Sequence, residues 1–419
     1  MLNCRKTMSA VPAPIEKFPA LRALRHRDFR LLWVGLFVSA VGTWMQIVAQ
    51  ALQVLSMTHG SALALGTVSL AQAAAFFLFT PLGGAIADRF DKRRILLLTQ
   101  SFLLLLALAL GLLTWLGLIR LWIIVALAFC AGAALSFDQP ARTSLIPSLV
   151  PPGDLMNAVS LQSIIFTGAS TFGPAMAGIT VTLIGYTGNF FLNAASYLAV
   201  LLALWRLSAI AGRPAAGTRE PLWASVRTML ATAARDAALP GVISGYGAML
   251  FLGPSPAVML PIFALRVLHL SATQMGFLFS AVGIGTILGG LTVASFGTVR
   301  HKGKLFLVAL MVWSFALGGF AVSRTTWLSV TALLLLGAAQ NAASATAITL
   351  MQTRVPSQMR GRIMSLNTLL VMGVRPLGDF PAGGLIGAIG GPLTAGISAA
   401  MTGAYGIFLA VRRAGLRDA

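Results

Sequence analysis

The 419-residue sequence carries 30 Lys+Arg against 10 Asp+Glu, a formal charge of +20, yet only 10% of it is charged and 57% is hydrophobic. A soluble domain has roughly 25% charged residues, so a mean hydropathy of +0.87 excludes an ordinary water-soluble fold and points to a lipid bilayer as solvent. A nucleic-acid partner is excluded as well, because the basic residues lie between apolar runs instead of clustering on one face with groove-reading elements.

Met1 to Arg30 has no apolar h-region ahead of a cleavage site, so no cleavable signal peptide is expected. Apolar runs of about 20 residues cross a bilayer as helices. Six are expected near 29–56, 65–88, 94–117, 121–140, 158–184 and 188–206, and six more near 241–265, 274–297, 304–322, 327–350, 363–388 and 393–411. This divides the chain into an N-terminal arm (1–28), a six-helix bundle (29–206), a polar linker (207–240), a second bundle (241–411) and a tail (412–419). Ala224–Ala234 in the linker reads as a short amphipathic helix on the membrane surface. Cys4 lies in the arm and Cys130 inside an apolar run, and no CxxC occurs, so neither a disulfide framework nor a thiolate metal site is expected.

Basic residues of short loops stay cytoplasmic. With the N-terminus inside, 26 of the 30 Lys+Arg fall on the cytoplasmic side and three (Arg120, Arg266 and Arg324) on the other. Both termini are therefore expected inside, and the charge of +20 is explained as topology. The two bundles also repeat. At a shift of 205 residues Gly42, Gly84 and Gly132 fall on Gly247, Gly289 and Gly337, and Gly168, Gly173, Gly178 and Gly185 fall on Gly373, Gly378, Gly383 and Gly390. Chance gives about two such coincidences at one shift, not seven. Two similar apolar halves are the mark of a secondary transporter.

Between the second and third spans the chain reads Gly83-Gly84-Ala-Ile-Ala-Asp88-Arg89-Phe-Asp91-Lys92-Arg93-Arg94. This resembles the G-x-x-x-D-R-x-G-R-R signature of the major facilitator superfamily, with Asp91 where the general signature has Gly. Glycine lets helices approach closely, and Gly84 is the expected contact. Asp88 is placed to cap a facing helix N-terminus. Phe29-Arg30-Leu-Leu-Trp33, Phe137-Asp138-Gln139-Pro140-Ala141-Arg142, Gly173-Pro174-Ala-Met-Ala-Gly178 and Arg360-Gly361-Arg362 add a resemblance to the transmembrane secretion effectors, a group that includes enterobactin exporters, over residues 25–410.

The resemblance implies an all-α membrane protein of twelve helices in two pseudo-symmetric bundles, working by alternating access in a bacterial inner membrane, as a monomer. It pairs Asp138 with Lys92 or Arg93, and Asp88 with the N-terminus of the eleventh helix, as a latch closing the cytoplasmic side. A bland interfacial carboxylate is the other reading of Asp138. The resemblance also places the first, fourth, seventh and tenth helices around a central cavity.

Thr43, Gln46, Gln50 and Gln53 share one face of the first helix. They line that cavity or hydrogen-bond neighbouring helices, and Tyr246, Gln340, Asn341 and Ser344 are weaker candidates. Arg375 and Asp379 lie four apart on one face and deep in the eleventh span, where Pro376 and Pro381 should distort the helix. Intramembrane charges are functional candidates, so Asp379 is either a proton site that alternates with Arg375 or half of a static ion pair. Gly168, Gly173, Pro174 and Gly178 resemble the helix-packing motif of the superfamily's antiporters. Pro254, Pro256 and Pro261 should break the seventh helix on its outer half.

No HExxH, GxxxxGK[ST] or GxSxG occurs. No enzyme, metal or cofactor is expected, and transport must draw on a gradient. Three readings remain open: proton-coupled export of a small organic molecule (a siderophore or an amphipathic drug), uptake or lipid translocation on the same scaffold, and a non-transporting sensor.

Overall fold

The structure, a computed structural model, describes residues 19–207, 234, 236–295, 301–355 and 360–417. The expected linker helix near 224–234 lies largely outside the described residues. The described residues are helical, with no strand among them. A 3-10 turn, Pro19–Arg25, leads into α1 (Arg27–Met57), α2 (Ala62–Arg89), α3 (Lys92–Trp115) and α4 (Leu121–Leu145). Leu155–Trp205 runs as one helical stretch bent at Gly185, whose φ of 69° interrupts it. The parts before and after the bend are α5 and α6. The second bundle has α7 (Leu239–Val267), α8 (Ala272–Ser295), α9 (Lys302–Val322), α10 (Thr326–Thr353), α11 (Arg360 to Ile389) and α12 (Gly391–Arg412).

The two halves are built alike, and the glycine repeat shows why. Gly185 and Gly390 both have positive φ and turn the chain between α5 and α6 and between α11 and α12, a conformation glycine takes without steric cost. A Cβ on Gly173 would lie 2.6 Å from the Trp44 Cβ on α1, and one on Gly378 would lie 2.1 Å from the Phe251 carbonyl oxygen on α7. The next pair joins the halves: a Cβ on Gly178 would meet Ala272 of α8, and one on Gly383 would meet Ala62 of α2. With lipid outside there is little hydrophobic drive between helices, so close backbone approach through small residues supplies the packing.

Apolar side chains face outward where a soluble protein would place polar ones. Leu98, Phe315 and Leu183 are exposed, as lipid contact requires. Trp115, Trp122 and Trp327, also exposed, stand at the ends of α3, α4 and α10, the level at which tryptophan marks a membrane interface.

Two helices are broken where the prolines predict. α7 is helical over Leu239–Leu252, opens at Gly253 to Ser255, resumes over Pro256–Ile262 and ends in a π turn, Phe263–Val267. α11 passes through a π turn, Leu370–Val374, directly before Pro376. Proline removes a donor and crowds the preceding turn, and a widened turn absorbs the mismatch.

Close contacts between the halves run from Gly373 against Phe77 to Gly383 against Ala62 and Gly178 against Ala272. The last two lie near the ends of α2 and α8 away from the loop bearing Arg89 and Lys92.

Candidate functional site

The basic loop is built differently from the expectation. A Cβ on Gly83 would lie 2.1 Å from the Ser136 carbonyl oxygen of α4, whereas one on Gly84 would meet nothing within 4 Å. Gly83 therefore makes the close approach assigned to Gly84. Asp91 caps α3, its carboxylate accepting from the Arg94 N–H at 3.0 Å, which gives the departure from glycine a structural use. Lys92 donates to the Ser144 carbonyl at 3.4 Å and Arg93 to the Trp205 carbonyl at 2.6 Å. Those carbonyls belong to the last turns of α4 and α6, where the helix leaves acceptors unpaired and its dipole is negative. Arg89 is exposed, and the side chain of Asp88 and residues 356–359 ahead of α11 lie outside the described residues.

Asp138 pairs with neither Lys92 nor Arg93. It is wholly buried and ion-paired with Arg142 one turn on. Thr99 and Gln100 of α3 donate to its other oxygen at 3.1 and 2.7 Å. Burial demands that a carboxylate be fully hydrogen-bonded, and the two α3 side chains meet that demand from across the α3–α4 seam. The expected latch is thus a knot inside the first bundle. Arg142 was in view in the sequence, and the four-residue spacing was the signal that could have found it.

The polar stripe of α1 divides. Gln46 accepts from Asn193 of α6 at 2.6 Å, Gln53 is buried and donates to Thr114 of α3 at 2.9 Å, and Thr43 lies 3.3 Å from the Tyr197 hydroxyl. These three tie helices together, the second of the two roles expected of the stripe. Gln50 is half-buried and has no hydrogen-bond partner among the described residues. Tyr246, buried, shares a hydrogen bond with Ser344 of α10 at 3.0 Å, and Asn341 donates to the Thr286 carbonyl of α8 at 2.7 Å.

Arg375 and Asp379 share a face of α11 but have separate partners. Arg375 donates to Gln340 of α10 at 3.4 Å. Asp379, 3% exposed, accepts from the backbone N–H of Ser255 at 2.8 Å, a donor that the break in α7 leaves without a helical acceptor. The static ion pair is therefore not what holds this region. Asp379 ties α11 to the break in α7, while its own backbone lies against α2: a Cβ on Gly66 would be 2.8 Å from the Asp379 carbonyl oxygen.

Two further carboxylates escaped the sequence reading. Asp236 accepts from the Ala238 and Leu239 N–H groups at the start of α7 and bonds Arg354 at 3.3 Å. Asp154 holds the N-terminal 3-10 turn: it pairs with Arg22 at 3.0 Å and His26 at 2.8 Å, beside Asn157, which accepts from the Ala23 N–H. The His26 hydrogen bond, opposed by burial and helped by Arg22, holds the Asp154 carboxyl below its usual range. A depressed value means stability present above the unfolded value of about 3.9 and lost as pH falls through the folded one. Proteolysis of the arm should therefore accelerate on acidification below about pH 4 in the wild type. In Asp154→Asn it should be fast and flat across that window, and an acid response in that variant equal to wild type would disprove the clasp.

A cavity of about 310 Å³ lies at the seam, lined by residues that include Leu52, Leu55, Ser56, Tyr186, Ile262 and Arg266. Its apolar wall is distinct from the polar stripe.

The described residues form twelve membrane-length helices in two like halves, counting the two arms of the Gly185 bend separately, with broken helices at their junction, which is the fold of the major facilitator transporters. Solved structures share the fold. A POT family transporter in complex with 5-aminolevulinic acid matches with a TM-score of 0.78 at 10% identity, covering 93% of this chain and 96% of that one. A bacterial homologue of the iron transporter ferroportin, in an inward-facing state, matches with a TM-score of 0.68 at 18% identity, covering 92% and 99%. Residues 19–417 match the family model described as transmembrane secretion effector, and the chain belongs to that family. Its curated relatives include the enterobactin exporters of Citrobacter koseri, 28% identical over 90% of this chain and 89% of that protein, and of Escherichia coli, 28% identical over 92% and 90%. The chain is a multi-pass membrane transporter of a small molecule and not an enzyme.

Proposed function

We propose that this chain exports a small organic molecule of the catecholate siderophore class across a bacterial inner membrane, in exchange for protons and by alternating access. Likeness to enterobactin exporters along nine-tenths of both chains carries the substrate class. Both termini are cytoplasmic, from the 26 to 3 division of basic residues, and the monomer is the working unit. The close packing of the halves away from the basic loops fits a state closed towards the outside.

Asp379 is the proton site in this reading. Arg375 on its own helix is the nearest cation. The Phe251 to Ser255 stretch of α7 and the Gly66 region of α2, packed against it, contribute no ionisable side chain. Protonation removes the charge that strengthens the Ser255 hydrogen bond and so frees the break in α7. Gln50 is the stripe residue left to meet substrate.

The test is collapse of a pH gradient in everted membrane vesicles on addition of a catecholate siderophore, with amphipathic drugs as comparison. Collapse that depends on the protein, and is lost in Asp379→Asn while substrate binding remains, is the expected result. Substrate movement that ignores the gradient in wild type and variant alike would reject proton exchange and leave Asp379 a structural residue.

A further inference from the structure

The part of α7 beyond its break, residues 256–267, is fixed at both ends, and the two attachments belong to different halves. At its base the Ser255 N–H is held by Asp379 of α11 at 2.8 Å. At its tip Arg266 reaches across the seam and donates to the His59 carbonyl in the α1–α2 turn at 2.8 Å. Between these points Val258 and Ile262 are buried in one apolar cluster with Ala49, Val54, Leu55 and Leu65 of the first half. His59 itself has a φ of 50°, an uncommon backbone state for a residue other than glycine, and it aims its carbonyl at the guanidinium. Gly60 follows with a φ of 84°, and a Cβ there would lie 2.5 Å from an Arg266 Nη. The turn admits Arg266 because glycine leaves it room.

We infer that Arg266 is the latch that seals the end of the transporter away from the basic loops, and that Asp379 positions the latch by pinning the base of the segment that carries it. Arg266 is a positioning residue: it holds the two halves together at that end. The latch must break whenever that end opens, because its donor and acceptor lie in different halves. Release of Asp379 from Ser255 frees the base of the same segment, so one carboxylate is linked to the seal through about ten residues of α7.

The inference rests on the transporter reading, and its test is independent of substrate and gradient. Leu55→Cys places a thiol on the buried wall behind the segment, in a background with Cys4→Ser and Cys130→Ser. The rate of labelling by a membrane-impermeant maleimide, applied to each face in turn, reports opening. From the face opposite the basic loops, labelling should be slow in the parent. It should be roughly fivefold to tenfold faster in Arg266→Ala, as expected for loss of one solvent-exposed hydrogen bond.

Gly60→Ala should act alike by displacing the guanidinium from the other half, and the double variant should be no faster than either alone. Asp379→Ala should also accelerate labelling, with Arg324→Ala as an unchanged control. Parent-like rates in both Arg266→Ala and Gly60→Ala, or rapid labelling of the parent itself, would overturn the latch. A chain that shows these rates yet exports no catecholate retains the latch and loses only the proposed substrate.

Discussion

Gly276→Leu should cut transport steeply while leaving a folded, membrane-inserted protein. A Cβ on Gly276 of α8 would lie 2.5 Å from the Pro174 carbonyl oxygen and 3.2 Å from the Ala175 Cα of α5. Both atoms are backbone and cannot swing aside. They belong to the opposite half, so the added side chain strains the seam between halves and neither bundle's own core. Overpacking of this kind costs about 1–3 kcal/mol, enough to shift a two-state equilibrium roughly fivefold to 150-fold away from the state closed at that end. Transport should fall by about that factor, and labelling of Leu55→Cys from that face should rise. Gly319→Ala is the matched control, since a Cβ there would meet nothing within 4 Å. Normal transport by Gly276→Leu would mean that the seam never has to close this tightly.

Arg142→Ala should be among the most destabilising substitutions in the first bundle. It leaves the wholly buried Asp138 carboxylate with only Thr99 and Gln100. Removing one partner of a buried ion pair costs about 3–5 kcal/mol, against at most about 1 kcal/mol for an exposed contact such as that of Arg93 with the Trp205 carbonyl. Thermal unfolding in detergent should rank Arg142→Ala well below Arg93→Ala. The double variant Asp138→Asn with Arg142→Gln should recover much of the loss, because no unpaired charge remains. Equal melting of Arg142→Ala and Arg93→Ala would restore the pairing of Asp138 with the basic loop.

The span pattern was legible because lipid leaves a helix no alternative: every backbone group must be satisfied within it. Helix ends accordingly fall within a few residues of the expected ones, α4 excepted, which continues five residues beyond its expected end to Leu145. Gly185 and Gly390 were legible as a repeat, and the structure adds why they recur, since both turn a helix at positive φ. The breaks in α7 and α11 followed from their prolines. Partners were less legible. Three members of the α1 stripe share the composition of a cavity lining, and only the fold shows that Asn193, Thr114 and Tyr197 stand opposite them. Asp379 was recognised as costly to bury, but its partner is a backbone N–H exposed by a break 124 residues away in sequence, which no side-chain pattern records. Gly83 and Gly84 are adjacent and chemically alike, and helix phase alone decides which one meets α4.

The proposed cycle exports a catecholate in exchange for protons. Its most direct measurement uses purified protein in liposomes with an imposed pH gradient, following a fluorescent catecholate siderophore and the internal pH together. Movement of the catecholate against the proton flux, reversing when the gradient is reversed and absent from Asp379→Asn liposomes, is the predicted result. Catecholate movement with no accompanying proton flux, or none under either gradient while the protein stays folded, would contradict it.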